Sequence, residues 1–202
     1  MSFGPGIDLK EIESNCWKEL IRAVDDRNSG WRLPALATSS LRHSLRQRVV
    51  VLRAVDVERR QLCFHTDVRS PKVSAIRESS DVSLLFYDAA GIQLVAEGFG
   101  AVHVDDDVAD RVWKNETPAS LKGYSGQYAP GTKMPRVEHN LPAELLNVIP
   151  DRAAIESGRA NFAVIVVSIR SFDWLCLDRA GNRRALFEYD ERDCVSQSWL
   201  AP

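Results

Sequence analysis

The sequence has no long apolar run, no paired cysteine motif and no strongly unbalanced charge. A membrane-spanning helix needs roughly 18 or more consecutive apolar residues. The longest candidate here, Phe162 to Ile169, is strand-sized. The start, Met1-Ser2-Phe3-Gly4-Pro5-Gly6, lacks the charged and apolar regions of a secretory signal. A cytoplasmic protein without a membrane partner is the expectation.

Four cysteines, Cys16, Cys63, Cys176 and Cys194, are far apart in sequence and form no C-x-x-C pair. They read as reduced thiols. His43, His65, His103 and His139 are equally scattered, so no zinc site is expected. A net charge of -2 and a pI near 6.1 lack the basic footprint of a general nucleic-acid binder. No G-x-G-x-x-G follows a strand pattern, which disfavours a doubly wound nucleotide-binding sheet.

What remains is 202 residues, 45% apolar, enough for one sizeable core with an appended helix or two. Ile12, Cys16, Trp17, Leu20, Ile21 and Val24 recur at helical spacing and predict a helix over Ile7 to Asp26, closed by Gly30. Then the period changes to two. Strands are expected at Trp31 to Thr38, with Pro34 marking a sheet edge, at Arg48 to Val55, and at Gln61 to Thr66. The last two read as a hairpin. Ser70-Pro71 signals a helix start, with serine as the cap. Val82 to Tyr87 and Ile92 to Val104 are further strands, and Gly98 and Gly100 mark a bend or bulge.

Asp105-Asp106-Asp107 opens a helix through Val112 and Trp113, and reads as a helix N-terminus and not as a metal site. Lys122 to Glu138 is a long loop, and Leu141 to Ile149 a short helix. Asn161 to Ile169, Phe172 to Leu177 and Arg184 to Tyr189 end the chain as strands. The total is mainly β with peripheral helices (α+β), an antiparallel barrel that protects its strand edges. Residues 1–30 form an N-terminal helix packing on a barrel of residues 31–202.

Three features suggest chemistry. Arg48-Val49-Val50-Val51-Leu52-Arg53 carries two guanidinium groups. His65-Thr66 ends the next strand, and Ser70-Pro71-Lys72 opens the next helix. A phosphate monoester needs fixed positive charge and hydrogen-bond donors, and a helix start adds backbone N–H groups. The hairpin brings Arg48 towards Thr66 and Lys72. Five residues apart on one regular strand, Arg48 and Arg53 would face opposite ways. Composition alone leaves a solvated arginine face as the simpler reading.

These segments, followed by Val82-Ser83-Leu84-Leu85-Phe86, resemble the pyridoxamine 5′-phosphate oxidase family of flavin mononucleotide (FMN)-binding split β-barrels. Gln93 falls where that family has an FMN-contacting glutamine. Trp174 and Arg184 match its C-terminal flavin-binding Trp and Arg, and Trp199-Leu200-Ala201-Pro202 is similar to its ending. The resemblance covers residues 31–202. It implies a homodimer with FMN at the subunit interface. Arg48, Thr66 and Lys72, with Ser70, would hold the phosphate, and Val49, Val50, Val51, Leu52 and Arg53 would lie along the flavin ring. His65 stands for a family tyrosine. Gln93, Trp174 and Arg184 would complete the pocket, partly from the partner subunit.

Departures shape the functional expectation. Pro71 replaces an arginine of the family and removes one phosphate contact, a loss that either Arg69 would offset or weaker phosphate affinity would express. Ala180-Gly181-Asn182 stands where the oxidases carry a substrate-binding Arg-Leu-His. Val112 to Thr117 offers no arginine for a substrate phosphate, only Lys114. The resemblance thus implies a relative of undefined substrate rather than the oxidase itself, an FMN-dependent oxidoreductase of a small molecule. Alternatives are a non-catalytic FMN carrier or sensor, a true pyridoxamine phosphate oxidase, or a related barrel holding haem or a deazaflavin.

Overall fold

The computed structural model describes residues 6–40, 43–190 and 195–202. Cys194 and most of the first six residues lie outside the described part, as does the side chain of His43.

The first helix, α1 (Leu9–Asp25), starts where Asp8 accepts the Glu11 N–H at 2.8 Å. It ends at Asp26, four residues before Gly30, which instead opens a 3-10 turn, Gly30–Arg32. Ile12, Cys16, Leu20 and Ala23 on its inner face are fully buried. They share one core with Leu52, Phe64 and Phe172 of the sheet. Burial of each large apolar side chain is worth about 1.5–3 kcal/mol, so the core-facing stripe and not helix propensity fixes α1 in place.

A polar thread adds to that anchor. Trp17 Nε1 donates to Tyr189 Oη at 3.2 Å, Tyr189 Oη donates to Glu13 Oε1 at 3.0 Å, and Gln197 Nε2 donates to Glu13 Oε2 at 3.2 Å. Burial and the nearby Glu13 carboxylate push the Tyr189 phenol far up, so it stays a donor. Tyr189→Phe leaves the Trp17 N–H without its acceptor and should cost about 1–3 kcal/mol. Urea unfolding with an unchanged slope would register this as a lower midpoint.

Among the described residues, nine strands form one antiparallel ladder: β1 (Ala35–Ser40), β2 (His43–Val49), β3 (Leu52–Asp56), β4 (Gln61–Asp67), β5 (Asp81–Tyr87), β6 (Ile92–His103), β7 (Phe162–Cys176), β8 (Arg183–Tyr189) and β9 (Val195–Leu200). The order is β2-β1-β5-β6-β7-β4-β3, with β8 and β9 continuing from β7. The fold is a split β-barrel with peripheral helices: the strand pattern led one to expect the antiparallel barrel, and the family resemblance its split.

The split is made by β7. One of its edges pairs with β6 from Val164 to Cys176, interrupted at Arg170. The other edge pairs with β4 over Phe162 to Ser168 and with β8 over Ser171 to Cys176. Arg170 between them has no partner opposite on β6, where Glu97 and Gly98 face Ser171 and Ile169. This bulge bends the strand and lets it change neighbours. The sequence suggested two strands here. They are one, because the interruption by polar residues is a bulge and not a turn.

Other boundaries also differ from the sequence pattern. The run Arg48 to Val55 is not one strand. It breaks at Val50–Val51: β2 pairs with β1, and β3 pairs with β4. Since β2 and β3 lie at opposite ends of the ladder path, these two residues carry the chain from one sheet edge to the other. Among the described residues the ladder is not closed by hydrogen bonds. Pro34 does not mark an edge. It precedes β1, which lies between β2 and β5, and its carbonyl accepts the Val50 N–H at 3.0 Å. The helix expected over Leu141 to Ile149 is only a 3-10 turn, Ala143–Leu145, and Asn147 with φ of 56° prevents its continuation.

Helices α2 (Pro71–Glu78), α3 (Asp107–Asn115), α4 (Pro118–Leu121) and α5 (Arg152–Ile155) decorate the barrel. Asp106 caps α3, accepting from the Val108 and Ala109 N–H groups at 3.1 and 3.0 Å. This makes the acidic triplet a helix start. A second apolar cluster of Trp113, Leu121, Leu145, Ile155, Phe162 and Val164 lies under these helices, outside the barrel. Among the described residues no helix is long and apolar enough to cross a membrane.

Candidate functional site

The tip of α2 and the end of β2 meet in a cleft of about 370 Å³, lined by Arg46, Gln47, Arg48, Ser70, Pro71, Lys72, Pro130 and Gly131. Each polar group has a physical reason to be there. Arg48 is inward-facing on β2 and paired with Leu36 of β1. Its Nη1 donates to buried Thr38 Oγ1 at 2.7 Å and to the Leu36 carbonyl at 3.2 Å, which fixes its direction. Lys72 Nζ donates to Thr66 Oγ1 and to Ser70 Oγ, both at 2.9 Å. The Ser70 hydroxyl is thereby spent on the lysine and makes no cap hydrogen bond to α2. Serine stands at the cap position as expected, but the first-turn N–H groups keep no side-chain acceptor.

Burial, and secondarily Arg46, holds the Arg48 guanidinium below its ordinary pKa. Burial, then Arg48, lowers that of Lys72, and Asp67 opposes this only in part. Two half-desolvated cations beside an uncapped helix start repel one another. An anion placed between them relieves that repulsion and supplies the missing acceptors.

The structure thus brings together four of the sequence-derived residues: Arg48, Thr66, Ser70 and Lys72. Arg69 is not among them. Its guanidinium is taken by Asp67 and by three backbone carbonyls, so it does not stand in for the arginine that Pro71 replaces.

Arg53 and His65 belong to a different group. The corner at Val50–Val51 separates Arg53 from Arg48, and strand alternation turns His65 away from Thr66. His65 lies edge-on to Phe162 with ring centroids 5.2 Å apart, its side chain only 3% exposed. Burial first, and Arg53 second, lower its pKa to about 4. The Glu116 carboxylate is 3.9 Å from His65 Nδ1, yet the ring is neutral near pH 7, so this is not an ion pair. His65 Nδ1, Arg53 Nε and Trp113 Nε1 are buried without a hydrogen-bond partner among the described residues. Neighbouring Cys63 and Tyr124 are raised to about 11 and about 12, chiefly by burial, so both remain protonated.

The pH dependence follows from His65. An unfolded histidine protonates near 6.5, and the folded one only near 4. The unfolded chain therefore binds more protons between these values, and stability falls as pH drops from about 6.5 to about 4. The loss approaches about 3 kcal/mol if the whole difference is expressed. A His65→Phe variant should lose this part of the acid sensitivity in urea titrations at pH 7 and pH 4.5.

Gln93 and Arg184 occupy one row across the sheet, Tyr87–Gln93–Leu175–Arg184. They face outward. Arg184 is tied to Asp173 by two hydrogen bonds, Nε to Oδ1 at 2.9 Å and Nη2 to Oδ2 at 2.6 Å. The same outer face carries Val49, Leu85 and Tyr87, which are 63%, 41% and 52% exposed. Neither Gln93 nor Arg184 lines the cationic cleft of its own chain. Trp174 points the other way, fully buried in the core, with the Arg183 guanidinium 5.8 Å from its ring centroid. Its place in the isolated chain is core packing, not the cleft wall. Val50 and Leu52 are likewise buried, and Val51 half-buried.

Several cleft residues went unnoticed in the sequence. Arg46 lies two residues before Arg48, so alternation alone puts it on the same face. Thr38, 2% exposed, gave no signal, because its partner Arg48 is ten residues away in sequence. Pro130 and Gly131 arrive from a loop whose course only packing decides.

No family model matches the chain, and no curated protein sequence matches it. Solved structures do. A pyridoxamine 5′-phosphate oxidase-related, FMN-binding protein from Nostoc punctiforme superposes with a TM-score of 0.72 at 20% identity, covering 100% of both chains. PhzG from Burkholderia lata, solved with tetrahydrophenazine-1-carboxylic acid, gives 0.65 at 17% identity over 98% of this chain and 95% of its own. A Clostridium acetobutylicum protein related to general stress protein 26, of the pyridoxinephosphate oxidase family, gives 0.55 at 14% identity over 92% and 99%. The fold is that of the pyridoxamine 5′-phosphate oxidase-like split barrels.

Proposed function

We propose that this chain binds FMN and acts as a flavin-dependent oxidoreductase on a small molecule, as a homodimer with the flavin at the subunit interface. The observation that carries the reading is the cationic cleft. Arg48 and Lys72, oriented by Thr38, Thr66 and Ser70, converge beside the uncapped start of α2. That donor set fits a phosphate monoester: a planar fork, a point charge and backbone N–H groups. The likeness in fold to an FMN-binding protein supports the choice of ligand.

In this reading the residues of one subunit hold the phosphate, and the corner Val49 to Arg53 lies along the ring. The outward row of Gln93 and Arg184 serves the partner's site, since it is turned away from its own cleft. Exposed Val49, Leu85 and Tyr87 on that same face would be covered by the second copy. Bound flavin would supply hydride transfer, and the protein would supply binding, orientation and exclusion of water. Arg53 and neutral His65, with unspent polar atoms, would meet the ring or the substrate. Substrate phosphate is disfavoured, because Glu116 stands beside His65 in this group.

The test is the absorption spectrum of the purified protein, followed by mass identification of the released cofactor. A colourless protein that takes up no added flavin would end this reading. Flavin bound without substrate-dependent turnover, after photoreduction and exposure to oxygen or candidate substrates, would instead make the chain a carrier or sensor.

A further inference from the structure

The cleft of the two cations is also lined by a loop, and one guanidinium binds three successive carbonyls at the base of that loop. Asp67 fixes Arg69 by accepting from its backbone N–H and Nε through Oδ1, at 2.8 and 3.0 Å, and from Nη2 through Oδ2 at 2.7 Å. The other side of the fork meets three successive carbonyls. Nη2 donates to Gly126 O at 2.9 Å and Tyr128 O at 3.4 Å, and Nη1 donates to Gln127 O at 3.2 Å.

Asn140 closes the same loop from its far end. Its Oδ1 accepts the Tyr128 N–H and its Nδ2 donates to the Tyr128 carbonyl, both at 2.8 Å, while its own carbonyl accepts the Gln127 N–H at 3.0 Å. A Cβ at Gly126 would lie 2.7 Å from Asn140 Nδ2 and would push that amide from its place on the loop. The base of the loop is therefore fully engaged, although the loop has no regular structure. Just beyond it, Pro130 and Gly131 line the cleft together with Arg48 and Lys72.

We propose that Arg69 is a positioning residue that, oriented by Asp67, clamps the carbonyls of residues 126–128 and so seats Pro130 and Gly131 as the fixed outer wall of the ligand cleft. The clamp touches no ligand. It acts by pre-ordering the loop, so the ordering cost is met in folding and not at binding. Lysine cannot replace it, because a point charge does not bridge a carboxylate and three carbonyls in one plane. The part of this inference that concerns ligand retention rests on the FMN reading. The clamp itself does not.

The experiment has two arms, run on the full chain. Without flavin, amide hydrogen exchange in residues 126–140 should speed up at least about tenfold in Arg69→Ala and in Arg69→Lys, with little change in β4 or α2. Unchanged exchange in both variants would overturn the clamp, whatever the chain binds. With FMN, stopped-flow dissociation should be about tenfold faster or more in Arg69→Ala. The same substitution should add less than about threefold in a chain whose residues 129–133 are shortened to Gly-Gly. Equal effects in both backgrounds would mean that Arg69 acts on the phosphate and not through the loop, which also overturns the proposal. Wild-type protein that takes up no FMN defeats the functional reading and leaves the exchange arm to judge the clamp.

Discussion

Replacing Arg48 and Lys72 together by alanine should weaken FMN binding at least about a hundredfold. Each group offers a charge-assisted contact worth about 1.5–3 kcal/mol, and about 1.4 kcal/mol is tenfold in affinity. The fold should survive the change. Both side chains are only partly buried, and removing them relieves a desolvation cost that, with Arg46 beside Arg48 and Arg48 beside Lys72, holds their pKa values down. The double change takes a donor from three hydroxyls, Thr38, Thr66 and Ser70; Thr66 keeps the Asp67 carbonyl at 3.4 Å, and Ser70 can turn to cap α2. Melting temperature should therefore change little while flavin fluorescence titration shifts strongly. Unchanged affinity in the double variant would mean that the anion site is elsewhere. Sedimentation adds a separate check. If the flavin bridges two subunits, FMN raises dimer stability by mass action, and a monomer that binds it normally would refute the interface placement.

Gly98→Ala should be among the most destabilising single substitutions in the chain. A Cβ at residue 98 would lie 2.1 Å from the Ser168 carbonyl oxygen, 2.9 Å from its carbon and 3.0 Å from Ile169 Cα. All three are backbone atoms of the strand β7, so no side chain can step aside. Here β7 bulges at Arg170 and exchanges β4 for β8 as its neighbour. The Ile169 N–H leaves the ladder to donate to the Arg60 carbonyl at 2.8 Å. Glycine lets β6 approach closely at the one point where the split needs it. A methyl group there costs roughly 3 kcal/mol or more, the upper range for overpacking. For a chain of this size that corresponds to a loss of about 6–12 °C in melting temperature. Gly100→Ala is the control. A Cβ there would press on two side-chain methyl groups, at 3.1 and 3.4 Å, and would meet the Ser80 carbonyl only at an ordinary 3.7 Å. Equal thermal stability of Gly98→Ala and wild type would show that the strands separate freely at the bulge.

Much of the architecture was legible because local pattern and tertiary role agree. The stripe of Ile12, Cys16 and Leu20 could only be a helix with one buried face. The alternation Leu62–Phe64–Thr66 buries every second residue of β4. The acidic triplet before Val108 does what carboxylates do at a helix start. Local pattern failed where one residue run serves two partners. Arg48 to Val55 is uniformly β-prone, and nothing in its composition marks the corner at Val50–Val51. The 15-residue β7 reads as two strands, because its change of neighbour looks like an end.

The candidate site divides in the same way. Positive charge near a helix start, Arg48 with Ser70-Pro71-Lys72, is written in the sequence, since residue type alone sets charge and cap preference. Which cations converge is not. Strand alternation and one corner assign Arg48 and Lys72 to the cleft, send Arg53 and His65 to a separate buried group beside Phe162, and spend Arg69 on a loop. Those outcomes depend on which strands pair and where a ladder bends, and pairing joins residues far apart in the chain. By itself the sequence determined the elements and the chemistry on offer. Only the tertiary structure decided which groups meet, because contact between distant residues is fixed by register and bulge positions that no local pattern encodes.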